Sequence, residues 1–172
     1  MSESAFIIKV PEAEPYVDAL RRQYDPVAPL GVPAHITLLY PFKAPEQITD
    51  DDLATVRTAL HTSAAFNFTL QKVARFPLTT YLAPEPADPF VALTVLLTQV
   101  FPAYPPYEGK FATIVPHLTA ADGNADDAQV AGLELVKLIA SHGPIMATCN
   151  AVSLFGNYDG LWKEICVFDF GN

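Results

Sequence analysis

Two histidines and two threonines in this sequence stand in matching surroundings. Val32-Pro33-Ala34-His35-Ile36-Thr37-Leu38 is echoed, 82 residues further on, by Ile114-Val115-Pro116-His117-Leu118-Thr119-Ala120. Each segment has a proline, then a histidine, one aliphatic residue and a threonine. On a strand, residues i and i+2 project from one face, about 6–7 Å apart. His35 and Thr37 therefore point together, as do His117 and Thr119, while Ile36, Leu38 and Leu118 point into the opposite layer. If the two strands face one another, two imidazoles and two hydroxyls converge in one cleft. That set suits a tetrahedral phosphoryl group, because each threonine can donate to an oxygen and each histidine can move a proton on either side of phosphorus. One neutral imidazole takes a proton from the attacking oxygen while the other, charged, protonates the leaving oxygen. The scheme needs no metal and no cofactor, and it predicts a bell-shaped pH profile with its maximum near neutrality.

Blander readings compete. A lone strand histidine is commonly a half-buried structural residue, and threonine is an ordinary strand former; the repetition sets these four apart. Zinc wants three or four ligands, and the nearest carboxylate, Asp122, reads as the start of a loop. Arg75 is charged beside an aromatic in a strand, so it is read as a phosphate contact or, equally, a structural ion pair. Tyr40, Phe42, Phe76, Tyr107 and Trp162 are core by default, with one or two free to stack a base at the cleft mouth. Lys110 reads as a solvated loop charge, His61 and His142 as surface residues at helix ends, and Cys149 and Cys166 as inert buried thiols.

Strands and helices must carry these groups. Ala5–Val10 is short, apolar and β-branched, a strand ended by Pro11. Residues 12–24 carry Val17, Leu20 and Tyr24 at helical spacing, with Arg21 and Arg22 outside that stripe. A loop with Pro26, Pro29, Gly31 and Pro33 leads to a strand over 34–42. Thr49 followed by Asp50, Asp51 and Asp52 starts a helix. Strands are expected over 66–76 and 79–82, then a helix carrying Leu93, Leu97 and Phe101. Another proline-rich loop precedes a strand over 111–121 with Pro116 inside it, an edge or a bend. The last helix runs over 124–142 to Gly143-Pro144. Residues 145–155 and 161–170 form a β-hairpin around a five-residue turn, Gly156 to Gly160.

Each half of the chain thus runs helix, proline-rich loop, His-x-Thr strand, helix, which reads as an internal duplication. The expected fold is α+β: one bilobal domain over 1–172, two pseudo-symmetric lobes with antiparallel sheets flanking a central cleft and helices outside. The N-terminal half (about 1–84) carries the first motif, and the C-terminal half (about 85–172) the second. Neither a Gly-x-Gly-x-x-Gly nor a Walker A sequence is present, so P-loop and Rossmann nucleotide folds have no support.

Composition narrows the partners. The 172 residues are 51% hydrophobic and 17% charged, enough for a sizeable core and against disorder. Ten Lys and Arg against 19 Asp and Glu give a net charge of −9, a poor match to long duplex nucleic acid or an anionic membrane. Two cysteines without a CxxC spacing disfavour a disulfide scaffold. With neither a signal-like N-terminus nor an 18-residue apolar run, the expected compartment is the cytoplasm. A monomer is expected.

The two motifs, with Pro41-Phe42 after the first, resemble those of the two-histidine (2H) phosphoesterase superfamily, its 2′-5′ RNA ligase-like branch in particular. Arg75-Phe76-Pro77, Tyr81-Leu82-Ala83-Pro84, and Pro105-Pro106-Tyr107 with Phe111 extend the likeness over most of the chain. The resemblance implies a bilobal fold with pseudo-twofold symmetry and metal-free attack on 2′,3′-cyclic phosphates or on 2′-5′ or terminal RNA phosphodiesters. The implied partner is a small nucleotide or RNA terminus. His35 and His117 would be the catalytic pair, with Thr37, Thr119 and Arg75 as phosphate contacts. Two other activities share the cleft: a non-catalytic nucleotide- or phosphate-binding module, and an ATP-independent 2′-5′ RNA ligase.

Overall fold

A computed structural model describes residues 2–171. Eight strands, β1 (Ser4–Lys9), β2 (His35–Phe42), β3 (Phe66–Phe76), β4 (Thr79–Glu85), β5 (Leu118–Asp122), β6 (Ile145–Cys149), β7 (Ala151–Tyr158) and β8 (Leu161–Asp169), alternate with four α-helices. These are α1 (Glu14–Tyr24), α2 (Asp50–His61), α3 (Asp88–Val100) and α4 (Ala125–His142). Local chemistry accounts for the helix ends. Thr49 and Asp52 form a reciprocal capping box at α2, and the Asn124 side chain accepts from the Asp127 N–H at α4, in each case satisfying free first-turn donors. Pro15 and Pro89 sit in the first turns of α1 and α3, where a missing N–H costs nothing.

All strand pairs are antiparallel, and the strands form one curled sheet in the order β6-β3-β4-β5-β2-β1-β7-β8. Its centre is the β5–β2 seam, joined by a single register pair, Ile36 with Leu118. Read outward from that seam, β5-β4-β3-β6 mirrors β2-β1-β7-β8, so the fold is α+β with two pseudo-symmetric lobes. The lobes are not the two halves of the sequence. Strands β3 and β4 sit beside the second motif, and β7 and β8 lie in the lobe of the first. The helices cross over as well, with α1 packing on β5 and α4, and α3 on β2 and α2.

The helices cover one face of the sheet. There Phe6, Ile8, Ile36, Leu38, Leu82 and Leu118 pack against Val17, Leu20, Leu60, Phe90, Leu97 and Leu135 in a continuous core. On the other face a smaller cluster of Ala5, Ile7, Val32 and Phe155 packs with Val27, Tyr40 and Trp162. Among the described residues, no helix is long and apolar enough to cross a membrane.

Three local expectations change. Strand β5 starts at Leu118, not Phe111, because residues 111–117 make no ladder; Pro116, with no N–H to give, immediately precedes the motif histidine. Residues 145–155 break at Asn150 into β6 and β7. The last hairpin turns on two residues, Asp159 and Gly160, with φ of 54° and 89°. That pair of left-handed residues matches the twist of the flanking strands, and Gly156, Asn157 and Tyr158 stay in β7.

Candidate active site

The site sits on the sheet face away from the helices, across the central seam. Ile36 and Leu118 are fully buried on the helix side, so their neighbours His35, Thr37, His117 and Thr119 project from the open face, all partly exposed. The antiparallel pairing of Ile36 with Leu118 sets His35 across from Thr119 and Thr37 across from His117. The two histidines are then diagonal neighbours, a placement that separates such positions by about 7–8 Å.

Both imidazoles are mounted the same way. His35 Nδ1 lies 2.7 Å from the Pro33 carbonyl, and His117 Nδ1 lies 2.7 Å from the Val115 carbonyl, each two residues upstream. A carbonyl only accepts, so Nδ1 carries the proton in both and the neutral ring presents the Nε2 lone pair. Burial disfavours the charged form of each. His35 is pulled down to about 4 by burial, against the stabilising Pro33 carbonyl, with the positive charges of Arg21 and His117 adding to the fall. His117 is also lowered by burial, but the Val115 carbonyl and the Asp122 carboxylate both oppose it.

A paired irregularity shapes the rest of the face. In β2 the register with β1 slips between Thr37 and Leu39, and in β5 the register with β4 slips between Thr119 and Ala121. The extra residues, Leu38 and Ala120, stand at equivalent positions three beyond each histidine. A bulge re-aims everything after it. Strict alternation would turn Tyr40 toward the helices; the bulge brings it to the open face beside Ile7, Trp162 and Tyr107, whose ring centroids lie 6.2 and 6.4 Å from that of Tyr40 for Trp162 and Tyr107. Tyr40 donates to the Glu3 carboxylate, and burial together with Glu3 pushes its phenol up to about 12. Tyr107 approaches from a loop in which it and Glu108 adopt left-handed φ of 51° and 56°, and its phenol faces the Thr37 hydroxyl.

The opposite wall flanks His117. Phe76 and Tyr81 stand with ring centroids 5.3 and 5.4 Å from the imidazole. Asp122, the positional counterpart of Tyr40, accepts from Thr79 Oγ1 at 2.6 Å.

Of the aromatic candidates, Tyr40, Phe76, Tyr107 and Trp162 line the open face. Phe42 does not: it is 5% exposed, wedged in the core against Phe6, Phe101 and Tyr104. Arg75 is also removed from the cleft. It pairs across the ladder with Thr80, whose side chain points to α4, and its guanidinium donates to the Ala125 carbonyl at the start of that helix. Lys43 is tied to Asp52, and Lys110 is an exposed partner of Glu108. Sequence reading overlooked Lys9, which stands directly across from His35 on β1 and is ion-paired with Glu164. Its signal was parity: Lys9 is two residues from Ile7, the partner of Thr37. Asp122, read from sequence as a loop start, ends β5 beyond the bulge at Ala120, and Tyr81, given no role from sequence, stands across the ladder from Thr119.

Known proteins resemble this chain in sequence and in fold. A Bacillus cytotoxicus protein named as a candidate phosphoesterase is 32% identical over 117 residues, 67% of each chain. A Thermus thermophilus structure superposes with a TM-score of 0.63 at 17% identity, over 99% of this chain and 98% of that one. Escherichia coli LigT, solved with 3′-AMP, gives 0.60 at 14% identity over 99% of both chains. The sequence profile of the 2′-5′ RNA ligase superfamily matches residues 10–160, a span that holds both histidine motifs, both bulges and the whole central seam. The chain belongs to that superfamily, the two-histidine phosphoesterases.

Proposed function

We propose that the protein is a metal-independent phosphodiesterase that opens 2′,3′-cyclic phosphates or cleaves small 2′-5′ or terminal RNA phosphodiesters. The observation that carries this reading is the matched mounting of the two imidazoles. Each is tied through Nδ1 to a backbone carbonyl two residues upstream, which leaves Nε2 free, and the seam register sets a threonine across from each. In the reaction, one imidazole accepts a proton from the attacking water as its oxygen bonds to phosphorus. The other gives a proton to the ribose oxygen as its bond to phosphorus breaks, leaving a phosphomonoester and a free hydroxyl. Thr37 and Thr119 donate to the non-bridging oxygens, where negative charge accumulates in the transition state. Arg75 has no part in this scheme.

The aromatic walls supply the nucleoside contacts. Tyr40, Tyr107 and Trp162 on one side, or Phe76 on the other, offer π faces for one base. LigT has been solved with 3′-AMP, a ligand of the size this arrangement admits. All the groups come from one chain, so a monomer suffices. The free thiols Cys149 and Cys166 suit a reducing cytoplasm.

The test is a panel of nucleoside 2′,3′-cyclic phosphates, 2′-5′ dinucleotides and oligonucleotides with 2′,3′-cyclic ends, assayed with EDTA present. Hydrolysis of a cyclic or 2′-5′ substrate bears out the reading. Saturable binding without turnover would replace it with a binding module. Joining of cyclic-phosphate and hydroxyl ends without hydrolysis would assign the ligase direction through the same groups.

A further inference from the structure

The two halves of the site look alike, but the structures behind the two histidines differ. Behind His35, Arg21 of helix α1 forms a buried ion pair with Asp25, the residue just past the helix, each side chain 3% exposed and 3.0 Å apart. Sequence periodicity puts Arg21 outside the apolar stripe. In the structure its second nitrogen donates to the Val32 carbonyl at 2.9 Å, while Asp25 accepts from the Val27 N–H. Glu14, on the same helix, accepts from the Ala34 N–H at 2.8 Å. Pro33, whose carbonyl orients the His35 ring, is thus clamped through both chain neighbours by α1 side chains.

Behind His117 there is no such clamp among the described residues. The corresponding helix, α3, has Thr94 and Leu97 buried and no buried charge, and the only side-chain hydrogen bond it makes among the described residues is internal. The charge near His117 is of the opposite sign, Asp122. One histidine has a fixed positive charge behind it and the other a negative charge beside it, so the pseudo-symmetry of the pair is broken electrostatically.

We propose that Arg21 is the positioning residue for His35: with Asp25 it fixes the carbonyl that aims the imidazole, and its charge selects His35 as the proton acceptor and leaves His117 as the donor. This deepens the phosphodiesterase reading and rests on it for the roles in turnover. The positive charge of Arg21 already contributes to the low basicity of His35. The other charged or titratable groups around that ring are Glu14 from α1, Asp25 from the following loop, Lys9 from β1 and His117 across the seam. Only Arg21 and Asp25 form a buried pair whose halves can be removed separately, with opposite consequences for charge.

That opposition gives the test. Histidine titrations by ¹⁵N NMR on the whole protein, wild type against Arg21→Gln and Asp25→Asn, need no substrate. Arg21→Gln removes the positive charge and leaves Asp25, so His35 should titrate higher. Asp25→Asn leaves Arg21 unopposed, so His35 should titrate lower. A purely structural clamp would move both variants the same way, toward the ordinary histidine value; that result, or no movement in either, overturns the proposal. If Arg21→Gln does not fold, Asp25→Asn decides alone, with a lower His35 value supporting and an unchanged or higher one refuting. Arg21→Lys keeps the charge but not the planar fork, so turnover of a cyclic nucleotide should fall about ten- to a hundredfold with KM little changed, and unchanged turnover would refute the positioning role. Inactivity of the wild type on every phosphodiester would sink the phosphodiesterase reading, while the titrations still decide whether Arg21 sets the state of His35.

Discussion

At the residue scale, the account reduces to two rings and two hydroxyls. His35→Ala or His117→Ala should each lower turnover about 10²–10⁴-fold, the usual share of one general acid or base. Thr37→Val and Thr119→Val should each cost about 1–3 kcal/mol of transition-state stabilisation, the range for a hydrogen bond to a charged oxygen, read as a lower kcat/KM. The pH profile follows from the lowered basicity of both rings. Activity requires one ring neutral and one protonated, so kcat/KM, which reports the free enzyme, should rise through about 4 and fall below the ordinary histidine value of 6.5. The maximum therefore moves to the acid side of the neutrality expected for unperturbed histidines. Stability carries the same signature. Above pH 6.5 His35 is neutral in both folded and unfolded chains; below it the unfolded chain takes up a proton that the folded chain refuses until about 4. Stability is lost as pH falls across that window, by at most about 3 kcal/mol, and thermal melts of His35→Asn should show a shallower acid loss than wild type.

At the scale of elements, the structure shows which parts of the sequence pattern can be trusted. The His-x-Thr spacing reads correctly because strand alternation is a short-range rule, and Thr49 and Asn124 mark their helix starts because a cap is local chemistry. The bulges at Leu38 and Ala120 are invisible to alternation, and they decide that Tyr40 and Asp122 face the site. Arg21 is invisible for a different reason: a charged residue off the apolar stripe reads as solvated, and only its partners Asp25 and Val32 show it buried. Phe42 and Arg75 lie away from the cleft despite their closeness to a motif in sequence, which says nothing of the face a side chain occupies. The loop before His35 is testable as an element. Gly31 has φ of 101°, and a Cβ there would meet the Trp162 carbonyl at 2.7 Å. Gly31→Ala should destabilise the protein by about 1–3 kcal/mol in denaturant titrations and depress kcat, because the strain enters the segment that mounts His35.

At the scale of the whole molecule, the exchange of strands and helices between lobes ties the two motifs into one body. Each lobe borrows a hairpin, β3–β4 or β7–β8, from the other half of the sequence, so neither half can be removed and leave a complete sheet. The net charge of −9 and the engagement of Lys9, Lys43 and Arg75 with protein partners leave few free cations near the site. Substrate affinity should therefore fall only weakly between about 50 and 200 mM salt, whereas six or more phosphate contacts would cost roughly a thousandfold over that range. The central claim, that two histidines of one chain share the proton transfers at one phosphodiester, is tested most directly by kcat/KM on a 2′,3′-cyclic nucleotide in EDTA for wild type, His35→Ala, His117→Ala and the double variant. The account predicts large single losses and a double loss well short of their product, because the two rings serve one proton-transfer sequence. Wild-type rates in either single variant, or losses that multiply in the double, would contradict it.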